Sequence, residues 1–167
     1  MGSVYAKPRK GTRQLRLGRY SEKNRIYHIV TSTNGREPVF RSLQAGRLLV
    51  QALQRQEAAR NSRTLAFMIM PDHLHWLMRL GKRSSLQAVV NAVKSESARN
   101  INRLHGDRGR LWQKGFYERA IRYDEDLPTV ARYIIANPLR AGIVKSVSEY
   151  SLWDAVWVRG DSPSAMP

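Results

Sequence analysis

Hydrophobic positions repeat along this chain with two different periods, and the two periods separate strands from helices. Runs of β-branched, aromatic or alternating apolar residues predict four strands, at about residues 25–33, 64–70, 73–80 and 116–122. Apolar residues three or four positions apart predict three helices, at about residues 43–60, 86–104 and 127–137. Suitable caps precede the helices: Ser42, then Ser84 or Ser85, and finally the acidic run 124–126.

The order of these elements is strand, helix, strand, strand, helix, strand, helix. It predicts an α+β fold of the ferredoxin-like, split βαβ type: an antiparallel sheet with helices on one face, and an added helix after the last strand. The second and third strands are expected to form a hairpin, because only Pro71 and Asp72 separate them. Residues 143–158, with Trp153 and Trp157 at helical spacing, are expected to pack back on this body.

Basic residues dominate the whole chain rather than one tail. Lysine and arginine number 29 against 13 aspartate and glutamate, which gives a formal net charge of +16. Such an excess predicts a polyanionic partner, most simply nucleic acid, because each neutralised phosphate releases a counterion and strengthens binding. A basic surface that only keeps the protein in solution is the alternative.

The two ends differ in composition from the middle of the chain. The predicted division is a basic N-terminal arm, residues 1–20, a folded domain, residues 21–158, and a loose tail, residues 159–167. We expect Arg13, Arg16 and Arg19 of the arm to contact the nucleic-acid backbone, although a disordered leader would have the same composition.

Cysteine is absent, so the sequence offers neither disulfides nor thiolate metal ligands. The longest wholly apolar run, residues 65–70, is far shorter than the roughly 20 residues that a membrane span needs. The basic start also lacks the apolar segment of a signal peptide. We therefore expect a soluble, cytoplasmic protein with no membrane partner.

Two of the four histidines lie one residue apart, in the stretch Met70-Pro71-Asp72-His73-Leu74-His75. Side chains at positions i and i+2 of a strand leave the same face, so His73 and His75 can share one metal ion while Leu74 points into the core. This is half of a metal site. His28, on the first predicted strand, is either a third member of this site or a packed core residue.

A tyrosine and an asparagine four residues apart can complete the site. On a helix, Tyr133 and Asn137 share a face, so the amide oxygen of Asn137 could become a ligand beside the phenol of Tyr133. Two imidazoles and an amide oxygen suit Mg²⁺ or Mn²⁺. Tyr117 and Tyr123 are competing nucleophiles, but neither has a liganding residue four positions later.

A phenol that attacks a phosphodiester becomes a phosphotyrosine, which retains the energy of the broken bond. A second strand can then be joined without ATP, so this nucleophile predicts cutting and rejoining, whereas water would give an ordinary nuclease. Tyrosine has an ordinary pKa near 10 and needs help to attack at neutral pH. Arg132, Lys114 and Arg122 are candidates for that help.

Further basic and aromatic residues are candidate DNA contacts. Lys94 and Arg99 lie on the polar side of the second helix, and Arg122 ends the fourth strand. Trp112 and Lys114 belong to a glycine-rich loop. Trp112 could stack on an unpaired base, or it could anchor this loop on the core.

The histidine motif resembles the histidine-hydrophobic-histidine (HUH) motif of the single-tyrosine transposases. The stretches Leu111-Trp112-Gln113-Lys114-Gly115-Phe116 and Tyr133-Ile134-Ile135-Ala136-Asn137-Pro138 resemble the REP-associated tyrosine transposases in particular. The likeness extends over about residues 15–158. It implies a bacterial, nucleoid-associated enzyme that binds single-stranded DNA hairpins of repetitive extragenic palindromes and cuts and joins the strands with a divalent metal ion.

The resemblance also implies the role of each site residue. His73, His75 and Asn137 would bind the metal, and Tyr133 would be the nucleophile. It implies a monomer or a homodimer.

Two other functions are compatible with parts of the sequence. A zinc hydrolase would need more ligands than His28 and His105 can supply. A non-catalytic module that binds single-stranded nucleic acid could use Tyr27 and Trp76 on its sheet, although the glycine-aromatic signature of an RNA-recognition motif is missing.

Overall fold

The computed structural model describes residues 21–159 and contains five strands and five α-helices in that range. The strands are β1 (Ile26–Ser32), β2 (Ser62–Met70), β3 (His73–Leu80), β4 (Tyr117–Ala120) and β5 (Trp153–Ala155). The helices are α1 (Leu43–Ala58), α2 (Leu86–His105), α3 (Leu127–Ile135), α4 (Asn137–Arg140) and α5 (Val156–Arg159). The predicted basic arm with Arg13, Arg16 and Arg19 lies outside the described residues, and so does the tail from residue 160.

All strand pairs in the sheet are antiparallel, and their order is β4-β1-β3-β2-β5. The first four strands alternate with α1 and α2 along the chain as a split βαβ unit requires. The predicted ferredoxin-like α+β fold is therefore confirmed, including the hairpin of β2 and β3 and the edge position of β4.

Strand β3 lies at the centre of the sheet, and its side chains alternate between two apolar layers. Leu74, Trp76 and Met78 are fully buried on the face that α1 and α2 cover. Leu77 points the other way and packs in a second cluster with Ala131 of α3. Helix α3 therefore covers the sheet face opposite α1 and α2.

The helices begin where their cap residues predict. The side-chain oxygens of Ser42, Ser85 and Asp126 accept hydrogen bonds from backbone N–H groups in the first turns of α1, α2 and α3. Each cap satisfies a backbone donor that has no partner within its helix. Helix α2 ends at His105, and the cap residue Gly106 follows with a φ of +69°, which suits glycine.

The C-terminal segment differs from its predicted helical character. Trp153 is in β5 and pairs with Met68 of β2, so β4 is not the last strand. Strand β2 would otherwise be a sheet edge with unpaired backbone groups, and this distant requirement outweighs the local spacing of Trp153 and Trp157. Only Trp157 lies on a helix, α5.

The third predicted helix is also divided in the structure. Helix α3 ends at Ile135, and Asn137 begins the short helix α4. Pro138 has no N–H to continue the first helix, but it is compatible with the first turn of the second. Within residues 21–159, none of the helices combines the length and the apolar character that crossing a membrane requires.

We predict that Gly81→Ala destabilises the fold by roughly 1–3 kcal/mol. An added methyl group would overlap the backbone carbonyl of Arg60, where the chain cannot easily move. Gly46→Ala is the matched control, because its methyl group meets the movable side chain of Leu152 and alanine favours the helix. Urea unfolding measures the free energy of unfolding of both variants. Equal decreases in the two variants would contradict the prediction.

Candidate active site

The structure brings His73 and His75 together on the sheet face that carries α3. Their Nε2 atoms are 3.1 Å apart, and the two rings meet edge to face. The register of β3 places His75 opposite Met68, and Leu77 continues the same row of side chains. The predicted common face of the two imidazoles is thus present.

The other ring nitrogen of each imidazole, Nδ1, has a hydrogen-bond partner: Asp72 for His73 and His28 for His75. Asp72 Oδ1 lies 2.6 Å from Nδ1 of His73 and accepts its proton in a hydrogen bond. Nε2 of His28 lies 3.1 Å from Nδ1 of His75, and these two rings are stacked. Arg36 in turn donates to Asp72 at 3.3 Å. His28 therefore lies behind His75 and does not join the pair of facing Nε2 atoms.

The three imidazoles are held neutral by their surroundings. Burial lowers the pKa of His28 to about 4, and the charge of Arg119 adds to this effect. Burial also lowers the pKa of His75 well below 6.5, and the neighbouring imidazoles contribute. The pKa of His73 falls for the same reason, although its hydrogen bond to Asp72 opposes the shift. Neutral imidazoles keep the lone pairs that a metal ion needs.

The two facing nitrogens fit a shared metal ion. Two nitrogens held at roughly 2.1 Å by one ion lie roughly 3.0–3.4 Å apart for bond angles between 90° and 109°, and the observed separation of 3.1 Å falls in this range. Carboxylate or backbone partners at the second nitrogen are typical of metal-binding histidines, and Asp72 has this position behind His73.

A third ligand from the described residues would be of another chemical type. Within residues 21–159, no three His, Cys, Asp or Glu side chains form a metal-binding group. Asn137 begins α4, and its amide nitrogen donates to the carbonyl of Ile134 at 2.7 Å. This bond fixes the amide and uses its nitrogen, so the oxygen is the atom with which Asn137 could bind a cation.

Helix α3 carries Tyr133 onto the face of the histidines. Ala131 and Ile134 of this helix pack in one cluster with Met68 and Leu77, which are neighbours of His75 on that face. Tyr133 itself is 39% exposed and can be reached from solvent. The phenol is thus on the same side of the sheet as the imidazoles.

A cation that the sequence reasoning missed lies against Tyr133. The guanidinium of Arg140 is 3.8 Å from the centre of the tyrosine ring, and its charge also contributes to the low pKa of His75. Arg140 lies seven positions after Tyr133, a spacing that equals about two turns of a continuous helix, and this spacing was the available signal. Two of the candidates named from the sequence lie elsewhere: Lys114 is in an exposed loop, and Arg122 pairs with Asp124 at 2.8 Å. The third, Arg132, is exposed and directly precedes Tyr133 on α3.

One of the two competing tyrosines shares the face of the histidines. Tyr117 on β4 is opposite Val30 of β1, which in turn is opposite His75, so the three form a row across the sheet. Tyr117 is 40% exposed. Tyr123 lies in the turn after β4, 90% exposed and stacked under the guanidinium of Arg25.

The candidate DNA contacts in and beside the loop after α2 have different roles. Nζ of Lys94 donates to the carbonyl oxygens of Gln113 and Gly115 at 2.8 and 2.7 Å, so it holds the loop in place. Trp112 is buried, and its indole N–H donates to Ser97 at 3.0 Å, so it has the anchoring role rather than offering a face to a base. Arg99 and Lys114 are exposed.

A groove of about 250 Å³ lies between α2 and this loop. Its lining includes three basic residues, Lys94, Arg110 and Lys114, beside Leu111 and Trp112. The groove therefore carries positive charge next to apolar side chains.

The fold does not support the residue roles that the RNA-binding and zinc-hydrolase alternatives require. Tyr27 and Trp76 are buried beneath α1 and α2, so the sheet cannot present them to RNA bases. His105 is exposed at the end of α2, on the other side of the sheet from His73 and His75.

Comparisons with known proteins agree with the fold. The model of the family described as "Transposase IS200 like" matches residues 21–137. A protein of Haemophilus influenzae named as a REP-associated tyrosine transposase is 33% identical over 97 residues. The match takes in 52% of this chain and 55% of that protein, so the chain spans about half the length of the curated relative it matches.

Two solved structures have a similar fold. One is a REP-associated tyrosine transposase bound to a REP hairpin, with a TM-score of 0.69, 23% identity and coverage of 87% of this chain and 86% of that chain. The other is a transposase of Deinococcus radiodurans, with a TM-score of 0.51, 20% identity and coverage of 79% and 95%. At these identities the likeness shows the shared fold.

The low pKa of His28 predicts that stability falls in acid. Below pH 6.5 the unfolded chain binds a proton that the buried imidazole takes up only near pH 4. The contribution of neutral His28 to the free energy of unfolding is therefore fully present above pH 6.5. It decreases by up to about 3 kcal/mol as the pH falls to about 4. In His28→Gln the free energy of unfolding should decline less between these two pH values, as measured by urea titration. Parallel curves for wild type and variant would contradict the prediction.

Proposed function

This chain belongs to the IS200-like transposases, a family of enzymes that cut and transfer DNA strands, and we propose that it acts on single-stranded DNA through a covalent phosphotyrosine at Tyr133. The observation that carries this proposal is the pair of facing imidazole nitrogens, 3.1 Å apart, on the sheet face where α3 presents an exposed tyrosine. Neutral nitrogen ligands and a phenol on one face suit metal-assisted phosphodiester chemistry.

His73, His75 and the amide oxygen of Asn137 would hold a divalent ion, Mg²⁺ or Mn²⁺. When bound, such an ion supplies Lewis-acid polarisation of the scissile phosphate. Asp72 keeps the proton of His73 on Nδ1, so that Nε2 presents its lone pair. His28 accepts from Nδ1 of His75 in the corresponding way and fixes the orientation of that ring.

The chemical step exchanges one phosphodiester for another. The phenolic oxygen of Tyr133 forms a bond to phosphorus as the bond to the departing sugar oxygen breaks. The phenol proton is lost and the departing hydroxyl gains one, so the step consumes neither water nor a high-energy cofactor. In the reverse direction, the hydroxyl of another strand displaces the tyrosine and completes strand transfer.

We propose hairpin-containing repetitive extragenic palindromes as the DNA substrate. The support is the likeness to a transposase whose structure contains a REP hairpin and to a relative named for REP association. The charge of +16 and the basic groove between α2 and the following loop suit a polyanionic strand. Exposed Arg99 and Lys114 are the proposed backbone contacts within the described residues.

We predict that Tyr133→Phe abolishes covalent capture of DNA. A labelled single strand that contains a REP hairpin, incubated with Mn²⁺ or Mg²⁺, should give a detergent-resistant adduct with the wild type. The variant lacks the nucleophilic oxygen, so adduct formation should fall by roughly 10³-fold or more. The measurement is denaturing electrophoresis of the labelled strand.

Two further variants complete this experiment. Tyr117→Phe is the matched control, because Tyr117 lies on the same face with similar exposure, and it should leave the adduct unchanged. His73→Ala should lose the adduct but retain salt-sensitive DNA binding. Capture that persists in Tyr133→Phe and disappears in Tyr117→Phe would assign the nucleophile to β4 instead.

We also propose that one chain supplies the whole site. Helix α3 packs on β2 of the same chain, so Tyr133 and the imidazoles share a face without a second copy. A mixture of Tyr133→Phe and His73→Ala should then remain inactive, since each protein lacks one part of its own site. Recovery of about a quarter to a half of the wild-type adduct on mixing would instead show a site shared between two copies.

A further inference from the structure

Arg140 is a cation stacked on the proposed nucleophile, and no pattern in the sequence gives it a role. Its guanidinium lies over the ring of Tyr133, 3.8 Å from the ring centre. Arg140 is exposed, so both side chains can be reached by a DNA strand. The stacked guanidinium is held beside the phenol and still presents its N–H groups at its edge.

The charge of Arg140 is not committed to a carboxylate of the described chain. Arg36, Arg119 and Arg122 form ion pairs with Asp72, Glu125 and Asp124. Among residues 21–159, no aspartate or glutamate forms an ion pair with Arg140. Five N–H donors in a planar fork match the oxygens of a phosphate.

The backbone holds Arg140 in this place. Asn137 begins α4, and its carbonyl accepts from the N–H of Ala141 just after Arg140, while Gly142 ends the turn with a φ of +68°. The buried ring of Pro138 ties the same short helix to the body. Tyr133, Asn137 and Arg140 therefore come from one continuous segment.

We propose that Arg140 binds the non-bridging oxygens of the scissile phosphate while Tyr133 attacks it. The inference rests on the proposed role of Tyr133. As the phenolic oxygen approaches phosphorus, negative charge grows on the non-bridging oxygens, and a guanidinium already held at the nucleophile stabilises it without rearrangement. Arg140 is then a catalytic residue, because it touches the reacting phosphate, and it remains beside the phosphotyrosine after the sugar oxygen has left.

The test measures single-turnover adduct formation at saturating amounts of the same labelled repeat oligonucleotide. Arg140→Gln should slow the reaction by roughly 10²-fold to 10³-fold, the usual effect of removing one donor to a developing oxyanion. Arg140→Lys should recover part of the rate, because it restores the charge but not the planar fork. DNA binding should change by less than about threefold, since one phosphate contact among many is lost.

The matched control is Arg47→Gln. Arg47 is an exposed arginine of α1, which covers the sheet face opposite the histidines, so this variant removes the same charge away from Tyr133. It should keep the wild-type rate within about threefold. Equal rates for Arg140→Gln and Arg47→Gln would overturn the proposal.

A modified substrate separates a phosphate contact from a purely structural role. Replacing one non-bridging oxygen of the scissile phosphate by a methyl group removes the charge that Arg140 would meet. The rate deficit of Arg140→Gln should then shrink from the expected range of roughly 10²-fold to 10³-fold to less than about fivefold. The same deficit on both substrates would show that Arg140 only supports the fold. Failure of the proposed function is distinguishable, because Tyr133→Phe would then still capture the unmodified DNA.

Discussion

The register of β3 is the constraint on which the rest of the site depends. This strand is bonded along its length to β1 on one side and β2 on the other. Its alternate side chains meet two opposite demands: Leu74 and Trp76 fill the core under the two long helices, while His73 and His75 meet on the other face. A slip of one residue would exchange the two sets. The buried indole of Trp76, which donates to Thr64 at 3.1 Å, makes such a slip costly. The positions of the imidazoles are therefore enforced by the core rather than by local preference.

The electrostatics of the site follow from this placement. Imidazoles taken out of water beside cations stay neutral, and Arg119 and Arg140 reinforce that state for His28 and His75. Only Asp72 opposes it, at His73. Burial is the larger cause of these low pKa values, and the charge of Arg140 would also attract a phosphate in the proposed reaction. Neutral imidazoles and neighbouring positive charge therefore occur together on this face, in a chain whose formal net charge is +16.

The sequence predicted those elements that carry a local signal and missed those set by distant partners. Helices begin at Ser42, Ser85 and Asp126 because a cap acts within its own first turn. Strand β5 has only three residues and exists because β2 offers a bare edge, so no local pattern could reveal it. The contact of His28 with His75 spans 47 positions and depends on how β1 pairs with β3. The roles of the metal ligands and of Tyr133 remain predictions.

The division of the site between sheet and helix has a further physical consequence. The two imidazoles belong to the most rigid layer, a strand paired on both sides. Tyr133, Asn137 and Arg140 instead lie within eight consecutive residues, in a segment that docks on β2 through a small apolar patch of α3 and the ring of Pro138. Because the segment is continuous, a change in its docking moves phenol, amide and guanidinium together and leaves the imidazoles in place. The proposed chemistry then depends on one interface between two layers. A loss of packing at Ile134 would disturb all three helical groups at once, whereas a change at His73 or His75 would disturb one ligand alone.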